Sequence, residues 1–399
     1  MNILIAPSGF KESLMADAVA DCIEKGVRRI IKNANIHKVP VVDGGEGFAK
    51  ILIGMTGGTL HRVVTTGPVG QPVESYFGFL GGEEKKTAIL EMAATAGLSL
   101  VPRDMRNPLF TTTYGLGELI RHALDAGAER ILIGCGDSGT NDGGAGMVQA
   151  LGARLLDQNG REIPRGAIGL LDLHTIDVTN LDPRLKKVQI DAACNPHVQL
   201  CGSQGVARIF GPQKGATPEQ VELLDAALTH WGKLIEHFLG KTVIGLQGSG
   251  ASGGLGSGLA AFLNATLHPR YNIIMKYQRL EEILPEMDLV ITAEGAIDFQ
   301  TPKGKVPAEV ARLAKKHGVP VVVLAGTIGK NASDNYDYGI DAFSTILQTP
   351  CTLEHAISNC ESLVESAAER LLRTILVGMQ MSQRVAQHQP HTQVFAQAA

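Results

Sequence analysis

Four short, unbroken apolar runs constrain this chain more than any other feature: Asn2 to Ala6, Val39 to Val42, Leu289 to Thr292 and Val319 to Leu324. Runs of this length without polar alternation are what strands buried on both faces need, as in a parallel sheet covered by helices. Each gives way to a glycine-bearing loop: Pro7-Ser8-Gly9, Asp43-Gly44-Gly45-Glu46-Gly47, Glu294-Gly295 and Ala325-Gly326. Helical patterns accompany them. Ala18, Val19, Cys22, Ile23, Val27 and Ile30 recur at helical spacing, Phe48 to Met55 can begin another helix, and Val306 to His317 reads as a third. Because this alternation recurs at both ends of the chain, it predicts a doubly wound, parallel-sheet α/β domain built discontinuously from residues 1–60 and 286–379.

Residues 61–285 have a different texture and read as a second α/β domain inserted into the first. Strands are expected at Val73 to Leu80, Thr87 to Met92, Arg130 to Gly134 and Thr242 to Leu246, with helices at Thr113 to Ala126 and Pro218 to Phe238. Doubly wound sheets bind ligands outside the carboxyl ends of their strands, so the Asp43 and Glu294 loops are expected to share a cleft between the domains. Residues 380–399 are polar, Gln-rich and without period, the pattern of a disordered tail.

Composition narrows the partners. The 399 residues suffice for two domains at about 150 residues each, and the formal net charge of −4 gives no footprint for nucleic acid or acidic lipid. Six cysteines occur without a CxxC pair, which points to reduced thiols rather than a zinc site or disulfide framework. The first residues lack the basic start of a signal peptide, and no apolar run reaches membrane-spanning length, so the expected location is the cytoplasm.

The densest chemistry lies in Gly134-Cys135-Gly136-Asp137-Ser138-Gly139-Thr140-Asn141-Asp142-Gly143-Gly144, between a strand and a helix. Glycines and small hydroxyls at such a turn let backbone N–H groups approach phosphate, so Ser138, Thr140, Asn141, Gly143 and Gly144 are candidates to bind ATP. A second loop, Gly248 to Gly258, offers Gly250, Gly253 and Gly254 for the same task. No Walker A motif is present, so the phosphate-binding lysine must come from Lys11, Lys214, Lys303 or Lys305, each near Gly or a strand-to-helix turn.

Phosphoryl transfer also needs carboxylates for magnesium and for the attacking hydroxyl. Asp43, Glu46, Asp142, Glu294 and Asp298 all lie in glycine-bearing loops. Lys11, Asp43, Glu46, Asp142 and Lys305 form the catalytic candidates, Lys214, Glu294 and Asp298 join the nucleotide-binding set, and Asp142 and Asp298 are the candidate Mg2+ ligands. Both glycine loops also contain GxGxxG, which keeps an NAD-dependent dehydrogenase as the rival, although neither copy leads to a clear ribose-binding acid. The histidines are scattered, and Ser252 is not part of a GxSxG elbow.

Six ordered motifs extend the argument: Ala6-Pro7 with Phe10-Lys11-Glu12-Ser13-Leu14, Asp43-Gly44-Gly45-Glu46-Gly47, Glu91-Met92-Ala93, Thr140 to Gly146, Ile209 to Ala216, and Gly304-Lys305-Val306-Pro307. In this order the chain resembles the type I glycerate kinase family of bacteria, from Met1 to about Met379. The resemblance implies two α/β domains, one inserted in the other, with ATP and Mg2+, D-glycerate as acceptor and 2-phosphoglycerate as the usual product, 3-phosphoglycerate remaining open. It departs from the family pattern at Ser8-Gly9, where Asp-Ser is usual, at Asn195, where Asp is usual, at Ala296, where a basic or hydroxyl residue is usual in a loop that also lacks its usual first Gly, and at Asp137 and Gly139, where Gly and Ala are usual. Two acidic positions are thereby lost, which leaves a catalytically weak glycerate-binding sensor as a further alternative. Oligomeric state stays open, with a homodimer among the options.

Overall fold

A computed structural model of the chain describes residues 1–10, 13–41, 45–302 and 304–388. The chain begins with strands β1 (Asn2–Ile5) and β2 (Asn35–Lys38). It continues through β3 (Thr59–Thr66), β4 (Pro72–Phe79), β5 (Thr87–Glu91), β6 (Arg130–Gly134), β7 (Arg154–Leu156), β8 (Thr175–Asp177), β9 (Gln189–Cys194) and β10 (Thr266–Pro269). It ends with β11 (Leu289–Ile297), β12 (Val321–Ile328) and β13 (Ala342–Thr345).

Two compact units divide the chain, Met1–Val41 with Arg279–Ala399 and Val42–Gln278. The sequence places these divisions at 60/61 and 285/286. The difference lies in helix Phe48–Thr56, whose buried Phe48, Ala49, Leu52 and Ile53 pack against β4 and β5 of the second unit.

In the first unit, five parallel strands run in the order β2-β1-β11-β12-β13. Numbered within the unit this is 2-1-3-4-5, a doubly wound order whose topological switch point lies between β1 and β11. Ile3, Ile5, Leu289, Ile291, Ala293, Val322 and Leu324 join one core with helices Ala16–Ile30 and Cys360–His388. The opposite face takes helix Val306–Lys316, which packs on β11 and β12. Gly26 lets the first two helices meet closely: a Cβ there would stand 2.3 Å from the Glu365 carbonyl oxygen.

The second unit holds a six-stranded mixed sheet, β10-β9-β6-β5-β4-β3, in which β10, β9, β6 and β5 are parallel and the β3–β4 hairpin is antiparallel. Helix Pro218–Leu239 is started by a capping box between Thr217 and Gln220. It carries the buried Trp231, stacked on Phe262 at 5.4 Å between ring centroids.

Two sequence-based strands are corrected. Of the expected strand Val39 to Val42, Val39 to Val41 follows β2 rather than forming it, although the Val39 and Val41 amides still bond to Ile5 and Pro7, because the parallel register is already set by Asn35–Lys38; Val42 lies outside the described residues. Thr242 to Leu246 is turn and coil; with Gly245 at φ 83° it cannot continue as an extended run. At the far end, helix Cys360–His388 continues through residues 380–388, since Gln, Met, Arg and Ala are good helix formers and no breaker intervenes before Pro390. Residues 389–399, the rest of the expected tail, lie outside the described residues.

Candidate active site

Two polar clusters stand at carboxyl ends of parallel strands, one in each unit. In the first unit, β1 leads through Ala6 and Pro7 to Ser8, whose amide and hydroxyl both donate to the Ala293 carbonyl oxygen, each at 2.9 Å. This ties the two loops that flank the switch point. Glu294 follows on β11 and is 5% exposed. Its Oε1 accepts from Thr301 Oγ1 at 2.7 Å, and Lys305 Nζ lies 3.6 Å from Oε2. Lys305 Nζ also donates to the Ala296 carbonyl oxygen at 3.0 Å and approaches Asp298 Oδ1 at 3.3 Å. Burial pushes the Glu294 carboxyl up to about 7, against the opposing pull of Lys305.

The second cluster is built from the loop after β6. Lys214, 2% exposed, donates from Nζ to Ser138 Oγ at 2.8 Å, the Thr140 carbonyl oxygen at 2.6 Å and Asn141 Oδ1 at 2.9 Å. All three partners are neutral. Burial therefore holds the ammonium down to about 7, and the Asp142 charge only partly offsets that. Beside it, Thr140 Oγ1 and Asn141 Nδ2 are buried without a hydrogen-bond partner among the described residues, as are Ser249 Oγ and Ser252 Oγ on the second glycine loop. Buried polar atoms left unmatched cost roughly 1–3 kcal/mol each, so such a group marks where a ligand or water completes the structure.

Asp142 sits in the same loop but is fully occupied. Its carboxylate accepts from the amides of Thr113 (2.8 Å), Gly144 (3.2 Å) and Gly146 (3.2 Å) and from the hydroxyls of Thr113 (2.9 Å) and Thr112 (3.4 Å). Burial raises its pKa despite those donors. The residue fits the expected Mg2+ role poorly, because it is wholly buried and five donors, four of them on Oδ2, already share its carboxylate. Among the described residues no group of three His, Cys, Asp or Glu forms a ready metal cage. Asp298 fits better: among the described residues only Oδ1 is engaged, by Lys305 and by the Gln300 amide at 2.8 Å, and magnesium commonly takes one or two protein carboxylates beside substrate phosphates.

The glycines read as a phosphate cradle also serve loop-to-loop packing. A Cβ at Gly253 would lie 1.8 Å from the Thr140 carbonyl oxygen, at Gly250 2.0 Å from that of Gln199, and at Gly143 2.6 Å from the Trp231 ring. Gly254 and Gly144 similarly press on Gly143 and Gly258. The Gly143 amide donates to the Gly253 carbonyl oxygen at 3.0 Å, so the two glycine loops are one joined scaffold. Ser252, Gly253 and Gly254 run through consecutive left-handed conformations, at φ 53°, 73° and 88°. Only Ser252 carries a strained φ there, beside its partnerless hydroxyl.

Glu46 is placed by the second unit, its amide donating to Asp137 Oδ2 at 3.1 Å. Gly47 and Ala49 donate to the buried Glu91, which also accepts from the Tyr76 hydroxyl. Lys11, Asp43 and Lys303 lie outside the described residues. Sequence reasoning passed over Glu91 and Asp137 as anchors of the acidic turn, and Thr301 as partner of Glu294. It also missed Arg106, whose Nε is buried without a partner. Asn195 forms a local turn, Oδ1 accepting from the His197 amide at 3.0 Å.

No helix among the described residues is long and apolar enough to cross a membrane. Residues 3–376 match the Glycerate kinase family. A glycerate kinase of Bacillus subtilis is 46% identical over 381 residues, covering 96% of this chain and 99% of that one. A glycerate 2-kinase of Escherichia coli is 45% identical over 379 residues, covering 95% and 99%. A solved glycerate kinase 2 from Salmonella typhimurium superposes with a TM-score of 0.79 at 46% identity, covering 95% of this chain and 99% of that one. A doubly wound unit with a second α/β unit inserted, a buried lysine among partnerless polar groups and likeness along nearly the whole length agree: the chain belongs to the glycerate kinase family and is a kinase.

Proposed function

We propose that this kinase transfers the γ-phosphoryl group of ATP to the 2-hydroxyl of D-glycerate in the cytoplasm, giving 2-phosphoglycerate and ADP. The observation that carries this reading is the Lys214 pocket: one buried cation with hydroxyl and amide groups left unmatched, the complement of a small acid bearing hydroxyls. The choice of hydroxyl is supported by the Escherichia coli relative, whose name specifies a 2-kinase.

Nucleotide binding is assigned to the first unit. Its switch point is where doubly wound sheets hold nucleotides, and Lys305 there provides a point charge that phosphate can draw away from Asp298 and Glu294. Asp298 would hold Mg2+ in part, and the ion when bound neutralises charge on the transferring phosphoryl group. Glu294, with its pKa near neutrality, is suited to hold or release a proton during turnover. Lys214 orients the acid and gains a full charge as the anion arrives.

Incubation with ATP, Mg2+ and D-glycerate should release ADP, and NMR of the product should place phosphorus on the C2 oxygen. Phosphorus on the C3 oxygen would correct the position, whereas no ADP above background with any small hydroxy acid would refute the kinase assignment to this substrate class.

A further inference from the structure

Arg106 is a partly buried arginine that makes no ion pair among the described residues, and its Nε is enclosed without a hydrogen-bond partner. Guanidinium groups are rarely left so. Five N–H donors in a planar fork normally find a carboxylate, a phosphate or water, and enclosing one unmatched carries the full desolvation cost.

The Arg106 backbone packs on the turn that carries Lys214: a Cβ added to Gly215, the next residue, would stand 2.3 Å from the Arg106 carbonyl oxygen and 2.8 Å from its Cβ. Gly215 adopts φ 94°, so the lysine turn is shaped to admit the arginine. Two basic side chains thus lie on adjoining segments. One of them already holds Ser138 and Asn141, while Thr140 and Asn141 each keep a buried polar atom unmatched. A lone lysine offers a point charge with no preference between anions, whereas an arginine fork matches the two coplanar oxygens of a carboxylate.

We propose that Arg106 is the carboxylate-binding residue for the acceptor acid, acting beside Lys214. This deepens the reading of the chain as a kinase for a small hydroxy acid and rests on it. The Thr140 hydroxyl and Asn141 amide are then left for the acid's hydroxyls. The residue binds and orients substrate and takes no part in proton transfer.

The test compares D-glycerate with glycerol, which has no carboxylate. In Arg106→Met the KM for D-glycerate should rise about 100-fold, as expected for loss of a paired, charged hydrogen-bond fork. The KM for ATP should stay within about twofold, and any turnover of glycerol should be unaffected. A residue with a merely structural role would reduce both acceptors alike. Arg106→Lys, which keeps charge and loses the fork, should fall between the two and is the variant to read if Arg106→Met fails to fold. A rise confined to the KM for ATP would overturn the proposal and move Arg106 to the phosphates, and an equal loss on glycerate and glycerol would also overturn it.

Protection against thermal unfolding by D-glycerate alone gives an arm independent of turnover. Wild-type protection that Arg106→Met loses supports the proposal even if no ADP forms, in which case the kinase reading fails by itself. ADP release with unaltered glycerate kinetics in the variant leaves the kinase reading standing and removes Arg106. Absence of both protection and ADP release in the wild type overturns both.

Discussion

Lys305 and Lys214 are both lysines next to glycine turns, Lys305 at a helix start and Lys214 at the end of a short 3-10 turn, yet their surroundings differ in kind. Lys305 is partly exposed and stands between two carboxylates, at 3.3 and 3.6 Å. Lys214 is enclosed among neutral oxygens, and burial holds its pKa near 7. The first is a cation already balanced, which an incoming anion must compete for. The second is a cation short of its counter-ion, so a bound anion and the proton stabilise each other. The contrast is the reason for proposing the acceptor site at Lys214 rather than at Lys305: its cation has neutral partners, while that of Lys305 already has carboxylates.

The largest expected effect follows from removing the unbalanced member. Lys214→Met should lower kcat/KM for D-glycerate about 1,000-fold, as loss of a buried charged contact to substrate does. The same comparison fixes the pH behaviour. Above about pH 7 the folded protein releases the Lys214 proton, so the KM of the wild type should climb roughly tenfold per pH unit. Stability moves the other way. Between 7 and 10.5 the unfolded chain keeps a proton that folded Lys214 has lost, so stability rises with pH across that window. At and below pH 7 the group costs about 5 kcal/mol, a penalty absent in Lys214→Met. Denaturant melts of the two proteins at pH 7 and pH 10 measure the difference, and parallel pH curves would break the contrast.

Glu294 tests the balanced site. Its carboxyl is raised from 4.5 to about 7, so the folded state holds a proton that the unfolded chain has released in that range. Stability from this group is therefore lost as pH rises from 4.5 to 7, by about 3 kcal/mol in all. Glu294→Gln should cut kcat about 100-fold. It should also melt higher than the wild type at pH 8 while matching it at pH 4.5. A variant that is fully active at pH 8 would remove Glu294 from the chemistry.

Much of this was legible in the chain itself, and the failures share one cause. Apolar runs such as Arg130 to Gly134 needed no tertiary information, since a strand buried on both faces is written in consecutive residues. Ser138, Thr140 and Asn141 stand out in the sequence because small polar residues crowd a glycine turn, and Lys214 because it adjoins Gly215; the structure brings the four together. The use of the glycines was not legible, because GxGxxG says that a backbone is approached closely but not by what. Here a second loop fills the place, Gly253 against Thr140. Asp142 looked like a metal ligand for the same reason, its Thr112 and Thr113 donors being remote in sequence. Arg106 lies in a mixed-charge stretch between Pro102 and Pro108, indistinguishable from solvated surface until Gly215 is set against it.

Asp142 separates scaffold from ligand site within the same loop. In Asp142→Asn an NH2 group would replace one oxygen that five donors now share between two, so donor faces donor. The cost should be about 2–4 kcal/mol of stability, seen as a Tm lowered by several degrees. The Mg2+ concentration for half-maximal rate should not change. A large shift in that concentration with Tm intact would restore Asp142 as a metal ligand.

Asn195 carries the smallest expected effect and bears on the departures from the family pattern. It stands directly after β9, and its Oδ1 accepts from the His197 amide at 3.0 Å, a turn that an aspartate forms equally well. Asn195→Asp should therefore fold as the wild type does, with a Tm within a degree or two. The change adds a negative charge at the carboxyl end of a parallel strand, two strands along the sheet from Glu91 on β5, where the acidic turn is anchored. If a second acid assists the acceptor hydroxyl, turnover on D-glycerate should rise, by up to about tenfold, with the KM for ATP unaltered. An unchanged or lower kcat would mean that this position acts only as a turn, and that the pocket around Lys214 works without an acid there.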